Sequence, residues 1–355
     1  MLAEINTSLD GSLYMNNNKS LLALNISVFL IMLGVGMIVA LLPQRMIDLS
    51  GSIALVGWLA SAFAVTFVLT QVPIGYLADK ISFKKFMILG YLLCGITGLL
   101  YFKAESPLLI LIGRMLQGVG EVPVWALAPA LLSLQYAERK GKVIGQYNAA
   151  MHLGLCIGPL LGILILLTME QSNYAFLFFA LISFAGAIFI QIFVKDPDQR
   201  GSLIINQFDL KAVFKIINNR PSLTVLLSIV LYGACYGLFL TLIPAFLIMA
   251  KDFSQLSINL IFSLFYIAIS LSQLIAGPLS DRKNRRMLMF WSLMVVAAGL
   301  SVFSIFSNLL IYILITLTSI GLGTFAISSI AYLNETAPAE LKGTISGTYY
   351  LFWGI

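Results

Sequence analysis

The chain has 355 residues, of which 60% are hydrophobic and only 10% charged, with 21 Lys and Arg against 15 Asp and Glu and a single His. Soluble domains carry charge on about 25% of their residues, whereas here apolar runs of about 20 residues, enough to cross a hydrocarbon core ~30 Å thick, recur along the whole length. This composition describes a polytopic membrane protein and excludes a soluble enzyme, a disulfide-rich secreted domain and a nucleic-acid binder.

Residues 1–20 (MLAEINTSLDGSLYMNNNKS) are polar, lack the basic-then-apolar order of a cleaved signal peptide, and read as a short disordered tail. Ten spans follow, at about 21–43, 54–77, 84–103, 107–135, 143–168, 173–195, 221–250, 257–279, 286–306 and 307–332. An eleventh begins near Gly343 and stops with the sequence at Ile355. No stretch has the ten-residue alternation of a membrane β-barrel, so the fold class is all-α. The longest interruption, 196–220, sets Leu203, Phe208, Leu210, Val213, Phe214 and Ile217 among charges and turn residues. It reads either as an amphipathic helix on the membrane surface or as a plain tether. The organisation expected is a tail over 1–20, a six-helix bundle over 21–195, a linker over 196–220 and a second, incomplete bundle over 221–355. The three cysteines, Cys94, Cys156 and Cys235, lie inside apolar segments and read as small packing residues.

The basic residues set an orientation. With the N-terminus in the cytoplasm, seventeen Lys and Arg fall in the inside segments, three (Arg45, Lys103 and Lys251) fall outside, and Arg114 lies within a span. That bias places the N-terminus inside.

An offset of 202 carries first-half residues onto matching ones: Gly75 onto Gly277, Leu77 onto Leu279, Asp79 onto Asp281, Lys140 onto Lys342, Gly141 onto Gly343, Gly145 onto Gly347 and Tyr147 onto Tyr349. One gap-free offset across two blocks points to duplication, with a site expected near mid-membrane between the two halves. It also carries Lys195 to 397, so the sequence reads as lacking about 42 residues of a twelve-span chain.

After the second span the chain reads Gly75-Tyr-Leu-Ala-Asp79-Lys80-Ile-Ser82-Phe83-Lys84-Lys85, and its repeat reads Gly277-Pro-Leu-Ser-Asp281-Arg282-Lys-Asn284-Arg285-Arg286. An Asp at the membrane face can sit against the positive N-terminus of a helix in the opposite half, with basic neighbours pairing to it. Asp79 is therefore expected near the start of the eleventh span and Asp281 near the fifth, as a latch. Topology alone accounts for the lysines but not for a twice-used Gly-x-x-x-Asp.

In the fourth span, Arg114, Gln117 and Glu121 fall at i, i+3 and i+7 on one helix face, with about 10 Å between the two charges, and Trp125 follows four residues later. A lone acid in hydrocarbon must face water or the bundle interior and marks a functional site by default. Glu121 is expected to carry a proton, the other reading being a structural ion pair with Arg114. In the fifth span, Gly154, Gly158 and Gly162 form a small-residue ridge preceded by Gly145, and Pro159 adds a bend. Asn148 and His152 share a different face of that helix and could line the cavity beside span four. Single histidines are also common as hydrogen-bonded interior residues. Among the polar side chains of the later spans are Tyr232, Tyr236 and Gln273, some of which should face the cavity.

These motifs resemble those of the major facilitator superfamily. The loops resemble G-x-x-x-D-R-x-G-R-R, with Ser82 and Asn284 where a second Gly is usual and Phe83 where the first late Arg is usual. Span four resembles R-x-x-Q-G-x-G, and its Gly-Val-Gly-Glu stretch also looks like Spinster-type lipid transporters. Span five resembles the antiporter motif G-x8-G-x3-G-P-x2-G-G, with Ile163 in place of the last Gly. The resemblance implies two six-helix bundles that rock about a central cavity, as a secondary active transporter working by alternating access. Proton-coupled export of hydrophobic or cationic small molecules is the first expectation; uptake, or a lipid-like substrate, is the second. A non-transporting receptor or scaffold is the reading from another class. On the resemblance, Glu121, Arg114, Gln117, His152, Asn148, Trp125, Tyr232, Tyr236 and Gln273 form the coupling and cavity set. Gly75, Asp79, Lys80, Lys84, Gly277, Asp281, Arg282, Arg285 and Arg286 form the cytoplasmic gate, and Gly145, Gly154, Gly158, Pro159 and Gly162 pack helices. No enzyme activity, cofactor, metal or nucleic acid is implied. The expected partners are a small-molecule substrate and the bilayer of the plasma or inner membrane, with a proton gradient as drive and the chain a monomer.

Overall fold

The computed structural model describes residues 2–168, 173–197, 219–240, 242–306 and 309–355, and side chains of the first helix from residue 18 onward. All regular structure in the described residues is helical: α1 (Leu2–Ser50), α2 (Gly57–Lys80), α3 (Phe83–Lys103), α4 (Pro107–Val122), α5 (Ala128–Gln135), α6 (Lys140–Thr168) and α7 (Tyr174–Phe193) in the first part. The second part holds α8 (Arg220–Leu240), α9 (Leu242–Lys251), α10 (Gln255–Arg282), α11 (Arg285–Val302), α12 (Leu309–Thr336) and α13 (Lys342–Gly354). Nine stretches of the described residues are long and apolar enough to cross a membrane.

The disordered tail expected over residues 1–20 is replaced by helix, because α1 is continuous from Leu2. Nothing in the segment stops a helix: the first proline is Pro43, and Gly11 is the one glycine in the first 20 residues. The apolar residues of the linker lie outside the described residues. At the start of the linker, Asp196 accepts hydrogen bonds from the Ser82 hydroxyl at 2.5 Å and the Lys84 amide at 3.0 Å, capping α3.

Two seams join the halves. On one, α2 packs on α13; on the other, α10 packs on α6. The offset of 202 exchanges them residue by residue. A methyl group on Gly343 would lie 2.5 Å from the Gly75 carbonyl oxygen, and one on Gly141 2.5 Å from that of Gly277. Gly347 meets the Gln71 carbonyl, and Gly145 meets that of Gln273. Backbone therefore touches backbone at both places, related by a local twofold. The remaining glycines of α6 serve a different contact. Gly154 and Gly158 lie against the α1 backbone at Phe29 and Leu33, and Gly162 sits on Met37, with Pro159 reaching Gly36 of the same helix. In lipid, where burying apolar side chains brings helices together only weakly, such close approach carries the association.

Gly158→Leu is expected to cost about 1–3 kcal/mol by overpacking against Leu33 and Met37. Thermal unfolding in detergent should show a lowered midpoint, while Gly57→Ala, where an added methyl meets nothing within 4 Å, should leave it unchanged.

Candidate functional site

The fourth span is one helix by composition but two by geometry. A π-helical turn, Pro123–Leu127, separates α4 from α5 and carries Trp125. In that turn the Ala128 amide bonds to the carbonyl of Pro123, five residues back. By the same spacing the Val124 carbonyl would need the amide of residue 129, which is proline and has none. The Tyr147 hydroxyl of α6 donates to it instead, at 2.7 Å.

Above this turn lies a buried chain of polar groups. Arg114 donates from Nε to the Leu59 carbonyl at 3.0 Å and from Nη1 to Gln117 Oε1 at 2.9 Å, with its guanidinium 4.6 Å from the centre of the Phe63 ring. Tyr101 donates to the same Gln117 oxygen at 2.9 Å. The Gln117 amide nitrogen donates to Glu121 Oε1 at 2.8 Å, and the Trp125 indole donates to Glu121 Oε2 at 3.2 Å. The direct ion pair between Arg114 and Glu121 that the sequence left open is not formed, because the Gln117 amide stands between them and links one charge to the other. Gly118 and Gly120, part of the stretch that looks like lipid transporters, press on Phe63 of α2 and on Gly90 and Cys94 of α3. Their role here is close packing.

A narrow cavity lies between the halves. Asn148 and His152 of α6 and Gln273 of α10 line one part of it. Trp125, Tyr232 and Tyr236 line the rest together with Tyr349, Tyr350 and Trp353 of α13, and Ala326. Six of the nine residues expected around a cavity thus meet there. Arg114, Gln117 and Glu121 do not: expected to face the cavity, Glu121 is 2% exposed and sits behind Trp125, whose bulk closes the way. Trp125 stacks on Trp353 from the other half, ring centres 5.8 Å apart at 19°, and meets Tyr350 edge-on at 5.8 Å. The last three tyrosine and tryptophan positions escaped the sequence reading. Tyr349 entered it only as a repeat match, and residues 343–355 are too few to reveal which face of a helix is buried.

At the basic end, two carboxylates cap helices of the opposite half. Asp79 accepts from the Gly343 and Thr344 amides at 2.7 Å each and from the Thr344 hydroxyl at 2.6 Å. Asp281 accepts from the Gly141 and Lys142 amides at 2.8 Å each and from Arg285 at 2.9 Å. Both caps place negative charge on the positive end of a helix dipole. Their third partners differ for a reason visible in the repeat: the position matching Arg285 is Phe83, and the position matching Lys142 is Thr344, whose hydroxyl fills the place of the missing guanidinium. Arg285 also bonds Glu335 at 2.8 Å and Ser280 at 2.8 Å. The other expected gate cations stand apart from the carboxylates. Lys80 lies 4.6 Å from the centre of the Tyr76 ring, Lys84 reaches the Gln191 carbonyl at 2.7 Å, Arg286 bonds the Tyr332 hydroxyl at 2.9 Å, and Arg282 is exposed.

Between the caps, the buried Asn334 of α12 accepts from Ser133 of α5 at 3.1 Å and donates to Ser346 of α13 at 3.0 Å. Lys342 donates to the Asn334 carbonyl and, at 2.7 Å, to that of Ala337. Burial, and then the nearby Lys140, push the Lys342 amine down to about 8 from its usual 10.5. Among the described residues there is no group of His, Cys, Asp and Glu side chains fit to hold a metal ion.

The family model of the Major Facilitator Superfamily matches residues 24–355. An uncharacterized MFS-type transporter of Methanocaldococcus jannaschii is 25% identical over 341 residues, covering 93% of this chain and 86% of the relative. The quinolone resistance protein NorA of Staphylococcus aureus is 26% identical over 178 residues, 50% of this chain and 44% of that protein. The fold is similar to that of the human organic anion transporter MFSD10 (TETRAN), with a TM-score of 0.77 at 15% identity over 95% of this chain and 90% of the other.

Thr344→Val should weaken the Asp79 cap and speed hydrogen exchange of the Gly343 and residue-344 amides about five- to twenty-fold, leaving the Gly141 and Lys142 amides unchanged. Lys342 carries a pH signature. Its folded value lies below its ordinary one, so the packed form disfavours the protonated amine. Stability contributed by this group should rise between about pH 8 and 10.5, read as thermal midpoints of the wild type minus those of Lys342→Met.

Proposed function

Since this chain belongs to the major facilitator superfamily and is an integral membrane transporter, we propose that it works by proton-coupled antiport, exporting hydrophobic or cationic small molecules by alternating access. The observation that carries this reading is the double duty of Trp125: its indole nitrogen holds Glu121, while the ring forms the cavity wall and stacks on Trp353 of the opposite half. A proton arriving on Glu121 removes the negative charge that the Gln117 amide and the Trp125 indole now serve. The tryptophan wall is then held less firmly, and the balance between the two orientations of the halves shifts. Coupling needs such a difference in affinity between states and nothing more.

The Asp79 and Asp281 caps shut the basic end, which on the charge bias we read as the cytoplasmic one, the membrane being in our reading the plasma or inner membrane, so the arrangement corresponds to a cavity closed towards the cytoplasm. Substrate leaving from this state moves outward. The relative named for quinolone resistance supports the export direction, and the glycine ridge of α6, matching an antiporter motif, agrees with it. The unit proposed is a single chain.

Glu121→Gln should abolish substrate efflux driven by a pH gradient in everted vesicles, with the protein still folded in the membrane. Wild-type pumping by this variant would remove Glu121 from the mechanism.

A further inference from the structure

The two seams match in backbone, yet the cavity surfaces they present are opposite in chemistry. At the α6–α10 seam the lining consists of Asn148, His152 and Gln273; the offset of 202 carries Asn148 to Tyr350, on the α13 side, where Trp353 also stands. Duplication has kept the frame and not the lining. The polar side holds an amide oxygen with nothing to bond. Gln273 is 0% exposed and Asn148 4%; Asn148 Oδ1 has no hydrogen-bond partner, and the Gln273 amide lies within hydrogen-bonding reach of the His152 ring. Buried polar atoms are almost always satisfied, and leaving one unmade is costly. His152 Nδ1 lies 2.7 Å from the Asn148 carbonyl oxygen, which can only accept, so that nitrogen carries the hydrogen and Nε2 of the neutral ring is an acceptor.

The polar side therefore offers the amide donors and acceptors of Asn148 and Gln273 beside the His152 ring, and no carboxylate, because Glu121 is turned away behind Trp125. A permanent cation would be stripped of water there with only ring faces in return. A group with adjoining donor and acceptor atoms would satisfy Gln273 and Asn148 together. Resting on the reading of this cavity as the substrate site, we propose that Asn148, His152 and Gln273 select an uncharged aromatic molecule bearing a donor–acceptor group, such as a carboxamide or lactam, held polar end towards α6 and α10 and ring towards Trp125 and Trp353.

Two probes with one aromatic body test this: naphthalene carboxamide and naphthylmethyl trimethylammonium, titrated against the full chain in nanodiscs by quenching of tryptophan fluorescence. The carboxamide should bind about ten-fold more tightly or better. Gln273→Leu should remove about ten-fold of that affinity and leave the cation unchanged, and Gln273→Glu, which supplies a counter-charge, should reverse the preference. Equal or tighter binding of the cation to the wild type, equal weakening of both probes by Gln273→Leu, or binding of neither probe overturns the assignment. Carboxamide binding that depends on Gln273, in a protein that moves neither probe under a pH gradient, supports the subsite and defeats the export reading alone.

Discussion

Two carboxylates, each seated on the exposed amides at the start of a helix in the other half, hold this molecule shut at its basic end. The rest follows from what that requires. For Asp79 to reach the amides of Gly343 and Thr344, α2 and α13 must approach until their backbones touch, and only glycine at positions 75 and 343 leaves room. The same demand at Asp281 fixes Gly141 and Gly277. The carboxylate satisfies amides that a helix end would otherwise leave unbonded in a poorly hydrated place. Charge, helix dipole and absence of side chain are thus one constraint seen from three directions.

That constraint was duplicated faithfully, and the chemistry around it was not. Arg285 completes one cap and the Thr344 hydroxyl the other. The cavity shows the same divergence, with amides and an imidazole along one seam and aromatic rings along the other. Backbone contacts tolerate little change, since any added atom collides, whereas a side chain facing open space is free to vary. A frame with twofold symmetry can in this way hold a ligand that has a head and a tail.

Much of the architecture was legible beforehand because membrane crossing imposes length, composition and charge asymmetry on the sequence itself. The spans, the repeat and the resemblance of the loop motifs all derive from local strings, and family membership agrees with them. Positions that depend on where a side chain turns were less accessible. Helical spacing puts Glu121 on the face of Arg114, but it cannot say that Gln117 intervenes or that Trp125 covers the carboxylate. The π turn reorients that face, and a tryptophan within it gives no periodic signal. Phe83 marked a lost guanidinium; the hydroxyl replacing it lies more than 260 residues away, on a helix the eye reads as plain apolar span.

The hydroxyl of Tyr147, bonded to the Val124 carbonyl, has a mechanical consequence. Tyr147 sits two residues from Gly145, which rides on α10, and next to Asn148, which faces the cavity. A tilt of α6 at the sealed end would pull on the Trp125 turn through this bond, as a crankshaft pulls its rod, so a strain placed on the seal would be felt at the chamber wall.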